Sequence, residues 1–86
     1  MIKRTLYIGN PSYLKLQDNQ VKVTDPENGK EKGSVPVEDV ALLMLDHYQI
    51  TISHQLIIAL QLNNVAIISC DGRHLPCALM LPMSGH

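Results

Sequence analysis

Cys70, Asp71, His74 and Cys77 fall within one short stretch, and thiolate, imidazole and carboxylate are the groups that bind zinc. The C-x3-H-x2-C spacing offers three ligands. A structural zinc site takes four, usually with a paired C-x2-4-C half, which this sequence lacks. Cys70 also closes the apolar run "VAIISC", where cysteine serves as a small buried hydrophobe. A nucleophilic pair, Cys70 or Cys77 with His74 or His54, would need an electropositive, partly open setting and a third orienting group. Glu38, Asp39, Asp46 and Asp71 have the oxygen ligands magnesium prefers. Glu38-Asp39 falls at a turn and Asp46 at a strand end, where acids are commonly solvated. Core and turn roles are the expectation for all of these residues, with a small zinc-binding protein as the remote alternative.

A second chemistry is contact with nucleic acid. Lys3, Arg4, Lys15 and Lys22 surround Tyr13, a combination of cations for phosphates and an aromatic ring for a base. The competing reading is a solvated hairpin face. Residues 1–34 carry six Lys/Arg against four Asp/Glu, and residues 35–86 carry one against four. The net charge is only −1, so no global field draws in a polyanion. The sequence contains no glycine-rich phosphate loop, zinc-finger pair or helix-turn-helix spacing.

The elements that must position these groups are mostly strands. "TLYIG" (5–9) leads to an Asn10-Pro11 turn and then "YLKLQ" (13–17), where Leu14 and Leu16 alternate with polar neighbours. Asp18-Asn19 tolerates the left-handed backbone of a tight hairpin into "QVKVTD". The polar, glycine-punctuated "DPENGKEKGS" (25–34) reads as a mobile surface loop. "VPVEDV" is a short strand and turn, and "VALLMLD" (40–46) a strand apolar on both faces. Tyr48 falls in the loop before a helix over 53–63, with Ser53 as N-cap and Asn63-Asn64 as the stop. "VAIISCD" (65–71) and "CALML" (77–81) close the chain as strands around an Asp71-Gly72 turn.

Eighty-six residues suffice for one small domain with a limited core. That core must be Leu, Ile, Val, Ala and Met, because Trp and Phe are absent and Tyr occurs three times. The apolar runs are far short of the ~20 residues of a membrane span, and no signal-peptide core is present. With two cysteines and no disulfide framework, a cytoplasmic protein without membrane association is expected. The strand at 40–46, the helix at 53–63 and the tail at 77–83 offer more apolar surface than the chain can cover. Leu43, Leu45, Ile57, Leu60, Leu79 and Leu81 are the candidate contacts for a second copy or another domain.

Three segments, "IKRTLYIGNPSYLKLQDNQVKV", "PVEDVALLMLDHYQITIS" and "LNNVAIISCDGRHLPCALMLPMSGH", resemble in order the amino-terminal domain of the CRISPR-associated integrase-endonuclease family Cas1, in its type II-like form. The resemblance implies a mostly β, α+β domain: a sandwich of two small antiparallel sheets with one short helix. It also implies homodimerisation through this domain and, in the full-length family, assembly with a Cas2 dimer and DNA to insert captured DNA into a CRISPR array. Magnesium or manganese would serve that reaction. Its ligands, a Glu, a His and a further acid, lie in a helical carboxy-terminal domain, so no catalytic or metal residue is assigned to residues 1–86. This chain alone is expected to be inactive, and His47, His54, His74 and His86 are not the family's histidine ligand. The family's domain also approaches duplex ends, which points to Tyr13 as a stacking wedge, Pro11 as second candidate, and Lys15, Arg4 and Lys3 as phosphate contacts. The alternative from another class is a free-standing homodimeric interaction protein without a role on DNA.

Overall fold

The computed structural model describes residues 3–83, so His86 of the sequence reading lies outside the described residues. The strands are β1 (Arg4–Ile8), β2 (Ser12–Gln17), β3 (Gln20–Thr24), β4 (Glu31–Pro36), β5 (Val40–Leu45), β6 (Ile50–Ile52), β7 (Ala66–Cys70) and β8 (Pro76–Met80). One α-helix, α1 (His54–Leu62), lies between β6 and β7, and a single 3-10 turn (Val37–Asp39) leads into β5. One sheet has the order β1-β5-β7-β8 and the other β4-β3-β2-β6.

Local chemistry accounts for most of these boundaries. Asp18 and Asn19 take φ values of 53° and 58°, the left-handed pair of a two-residue hairpin, and Gln17 pairs with Gln20. The Ser53 side chain accepts from the Leu56 amide at 3.2 Å, capping α1. At the other end Asn64 is left-handed (φ 62°), and the Val65 amide reaches back to the Leu60 carbonyl at 3.0 Å. That closure brings buried Val65 against buried Leu60, the apolar contact that completes this kind of helix stop.

Leu14, Val21 and Val23 of one sheet, Ile8, Val40, Leu43 and Ile67 of the other, and Leu56 and Leu60 of the helix share one core. Both sheets contribute their inner rows, and the helix lies beside β2. Two sheets closed over a single aliphatic core explain how a chain without Phe or Trp packs at all. Leu14, Leu43, Leu56 and Leu60 are completely sealed from solvent.

Two expectations need correction, and one strand was not foreseen. The sheets are mixed rather than antiparallel: β1–β5, β5–β7 and β2–β6 pair in parallel. Only strands joined by tight turns are forced to be antiparallel. Here β2–β4 separate β1 from β5, and β6 with α1 separate β5 from β7, giving the chain length to return to its starting end. The supposed loop at 25–34 is ordered into β4 from Glu31, because pairing with β3 outweighs its weak strand composition. Finally, β6 was hidden in "ITI", since three residues are too short to show an alternation.

Candidate nucleic-acid and protein-contact surfaces

The pleat sends alternate side chains to opposite faces of each strand, so the outer face of each sheet can be read row by row. On the β4-β3-β2-β6 sheet, Glu31, Thr24, Tyr13 and Thr51 form one outer row. Ser34, Lys22 and Lys15 form the next. Leu14 and Val23 between them point inward and are buried. Tyr13 is 38% exposed, a ring available to a partner. Lys15 and Lys22 are direct cross-strand neighbours, a like-charge pairing that destabilises a sheet unless an anion offsets it. Glu31 reaches Lys22 at 3.2 Å, while Lys15 has no ion-pair partner among the described residues.

The fold thus brings Tyr13 and Lys15 together with Lys22. Pro11 lies just before β2, at the end of this face. Arg4 and Lys3 are elsewhere: Arg4 opens β1, an edge strand of the other sheet, and Lys3 precedes it.

The outer face of the second sheet is of opposite character. Tyr7, Met44, Ile68 and Leu79 are consecutive cross-strand partners, one row across all four strands. Thr5, Leu42 and Ala66 make the row beside it. Tyr7 and Leu79 are more than half exposed, and Met44 and Ile68 partly so. Every residue of β8 is exposed, as is Leu81 just beyond it. Of the six proposed interface residues, Leu79 and Leu81 are open, while Leu45 and Ile57 are partly buried and pack on the core. Leu43 and Leu60 are corrected: both are fully buried in the chain's own core and have no surface to offer. Their runs are apolar on both sides, so the sequence could not tell which residues point inward. Ile58 and Leu62, exposed on α1, are the open ones on the helix.

A polar cluster unforeseen from the sequence closes one end of the apolar face. Asp46, directly after β5, is 5% exposed and accepts a hydrogen bond from the Tyr7 hydroxyl. Its other oxygen meets His74 Nδ1 at 2.8 Å. The Tyr7 hydrogen bond holds the Asp46 carboxyl below the usual carboxylate range; burial opposes this, and His74 assists. The same bond to Asp46, then burial, pushes the Tyr7 phenol up. Gly9 permits the arrangement, because a Cβ there would stand 2.8 Å from the Tyr7 ring. His74 itself sits at φ 65° in the β7–β8 turn, so one buried carboxylate ties β1, β5 and that turn together.

This arrangement also decides what the Cys–His stretch can do. His74 Nδ1 is committed to Asp46, Cys70 is half-buried and Cys77 exposed. Burial, followed by the nearby Asp46 charge, pushes the Cys70 thiol up, the opposite of an activated nucleophile. Among the described residues no three His, Cys, Asp or Glu side chains are grouped to hold a metal ion. Asp71 spends one carboxylate oxygen on the Arg73 and Leu75 amides, shaping the turn. No helix among the described residues is long and apolar enough to cross a membrane.

No family model matches the sequence. It is 34% identical over 82 residues to the CRISPR-associated endonuclease Cas1 of Neisseria meningitidis, covering 95% of this chain and 26% of that protein. The chain therefore spans about a quarter of that relative's length. Among solved structures, a Cas1 protein from Thermotoga maritima superposes with a TM-score of 0.78 at 18% identity, over 93% of this chain and 24% of that one. TtCas1 in a complex with DNA gives 0.71 at 18% identity, over 92% and 28%. A chain of a partial Cas6-RT-Cas1–Cas2 complex gives 0.81 at 11% identity, over 92% and 23%. At these identities the structural likeness is one of fold. The sequence similarity runs along nearly the whole chain and the fold is held in common: this is a Cas1-type amino-terminal domain.

Proposed function

We propose that the chain is the amino-terminal module of a CRISPR spacer-acquisition integrase of type II-like form, pairing with a second copy and engaging DNA ends. The observation that carries the reading is the opposition of its two outer faces, one an apolar row and the other an aromatic-and-lysine row. In this reading Tyr7, Met44, Ile68 and Leu79 belong to the protein-contact face, extended by Leu81. Tyr13 stacks on the terminal base pair of a duplex, and Lys15 and Lys22 contact its backbone. An unpaired lysine beside a like charge gains most from a phosphate, which supports placing the backbone there. The near-neutral charge makes the contact weak in isolation but measurable at high protein concentration, and a larger assembly with Cas2 strengthens it. Cutting and joining, with magnesium or manganese, belong to a helical domain outside these residues, so the chain positions DNA and does no chemistry. The setting is the cytoplasm.

The test is protection of duplex ends from an exonuclease by several hundred micromolar chain, sufficient for the parent chain to protect, and by Tyr13→Ala at the same concentration. Loss of protection in Tyr13→Ala, with Tyr13→Phe retained, is expected. Equal protection by all three removes Tyr13 from the role.

A further inference from the structure

A cavity of about 590 Å³ opens where β2, β4 and β6 begin, within the ~300–1,000 Å³ range of small-ligand sites. It adjoins the Tyr13 row directly: Pro11 lines it from two residues before Tyr13, and Thr51, the cross-strand neighbour of Tyr13, lines it from β6. Three features of its wall are those of a ligand site. Tyr48 is 88% exposed, and its ring stacks on His47 with centroids 4.9 Å apart and planes 17° from parallel. His47 is not part of the cavity wall; it backs the Tyr48 ring, which stays open to a further planar partner. Lys32 Nζ is fixed by the Pro11 carbonyl at 2.8 Å and by Ser12 Oγ at 3.0 Å, leaving one of its three protons for a ligand. Gln49 and the Asp25 carboxylate add an amide and an acceptor on the same wall. One Asp25 oxygen is used by the Glu27 amide.

We propose that this pocket receives one unpaired nucleobase of single-stranded DNA beside the duplex end, stacked on Tyr48. The inference rests on the DNA-end reading and adds a second station to it: Tyr13 caps the last pair, and the first unpaired base turns aside into the cavity. A flat ring with polar edges suits the wall better than an anion does, because Asp25 and Glu27 also line it and repel a phosphate. The same carboxylates favour bases with an exocyclic amino donor, adenine, cytosine and guanine, over thymine. Lys32 is placed to meet a ring or sugar oxygen.

The probe is a short forked duplex carrying 2-aminopurine, which has an exocyclic amino group, at the first unpaired position. The chain contains no tryptophan, so the probe's fluorescence is read without interference. Quenching on titration is expected, with binding to the fork weakened about tenfold in Tyr48→Ala, retained in Tyr48→Phe, and blunt-duplex binding unchanged. A fork with thymine at that position should bind several-fold more weakly than one with adenine. If Tyr48→Ala binds the fork like the parent chain while Tyr13→Ala weakens both DNAs, the pocket assignment fails and the DNA-end reading stands. If neither DNA binds at several hundred micromolar protein, both fail.

Discussion

If the apolar face pairs with a copy of itself, Leu79 must carry a measurable share of the binding energy. This residue lies at the β8 end of the row Tyr7–Met44–Ile68–Leu79 and is 58% exposed, so a partner can still bury more than half of it. Covering that remainder contributes roughly 1–1.5 kcal/mol, taking the usual value for a leucine side chain. A two-fold interface uses the same row on both copies, so the contribution doubles to about 2–3 kcal/mol. Leu79→Ser should therefore raise the dimer dissociation constant roughly 30- to 150-fold. Sedimentation equilibrium across a concentration series measures this, with Gln17→Ser on the opposite sheet as a control expected to change nothing. Circular dichroism should be preserved, because β8 is exposed along its whole length. Leu60→Ala should behave in the reverse manner. Its side chain is fully buried, so it should lose about 2–5 kcal/mol of folding stability through the cavity it leaves. A parent chain that stays monomeric at several hundred micromolar, or a Leu79→Ser chain that associates as before, would refute the two-fold use of this face.

Other outcomes follow from single contacts. Ser53→Ala should cost about 1 kcal/mol by removing the α1 cap, read as a fall of roughly 4–8 °C in melting temperature. The lowered Asp46 carboxyl contributes stability that is present above the ordinary carboxylate range and is lost as pH falls through its folded value. Asp46→Asn should therefore be less stable near neutrality and show a flatter acid limb in denaturant titrations below about pH 4. The raised Tyr7 phenol gives the mirror case, with stability present up to about pH 10 and lost as pH rises further, a loss that Tyr7→Phe should abolish. Of the two thiols, exposed Cys77 should react with a disulfide reagent well before half-buried Cys70, which mass spectrometry after a short exposure resolves.

What could be read from the sequence was whatever is decided by neighbours along the chain. The Asp18-Asn19 hairpin, the Ser53 cap and the Asn64 stop each depend on a residue type and a few adjacent backbone groups, and all three are realised. Alternation in "YLKLQ" likewise put Tyr13 and Lys15 on one face, because a strand's period fixes this before its partners are known. Strand direction and strand partners depend on the return path of the chain, which is why the mixed sheets were missed. Leu43 and Leu60 failed for a related reason: in runs apolar on both sides, burial is settled by packing. Asp46 and His74 are 28 positions apart, and Lys32 and Pro11 are 21 apart, so no local pattern marks either contact.

The Asp46 cluster gives the exposed strand β8 a restraint that its own packing does not. All five of its residues are exposed, so its ladder with β7 is its main hold on the fold. An edge strand of that kind would fray and offer its backbone to any passing chain. The turn leading into it is fixed twice, by the Asp71 carboxylate on the Arg73 and Leu75 amides and by His74 on buried Asp46. The second contact reaches the opposite edge of the sheet, since Asp46 also accepts from Tyr7 on β1. Both ends of the row from Tyr7 to Leu79 thus answer to one buried carboxylate. If this face meets a copy of itself, as proposed, its rows must be held in register before contact, and a polar tie at the sheet's end does this without covering the apolar residues.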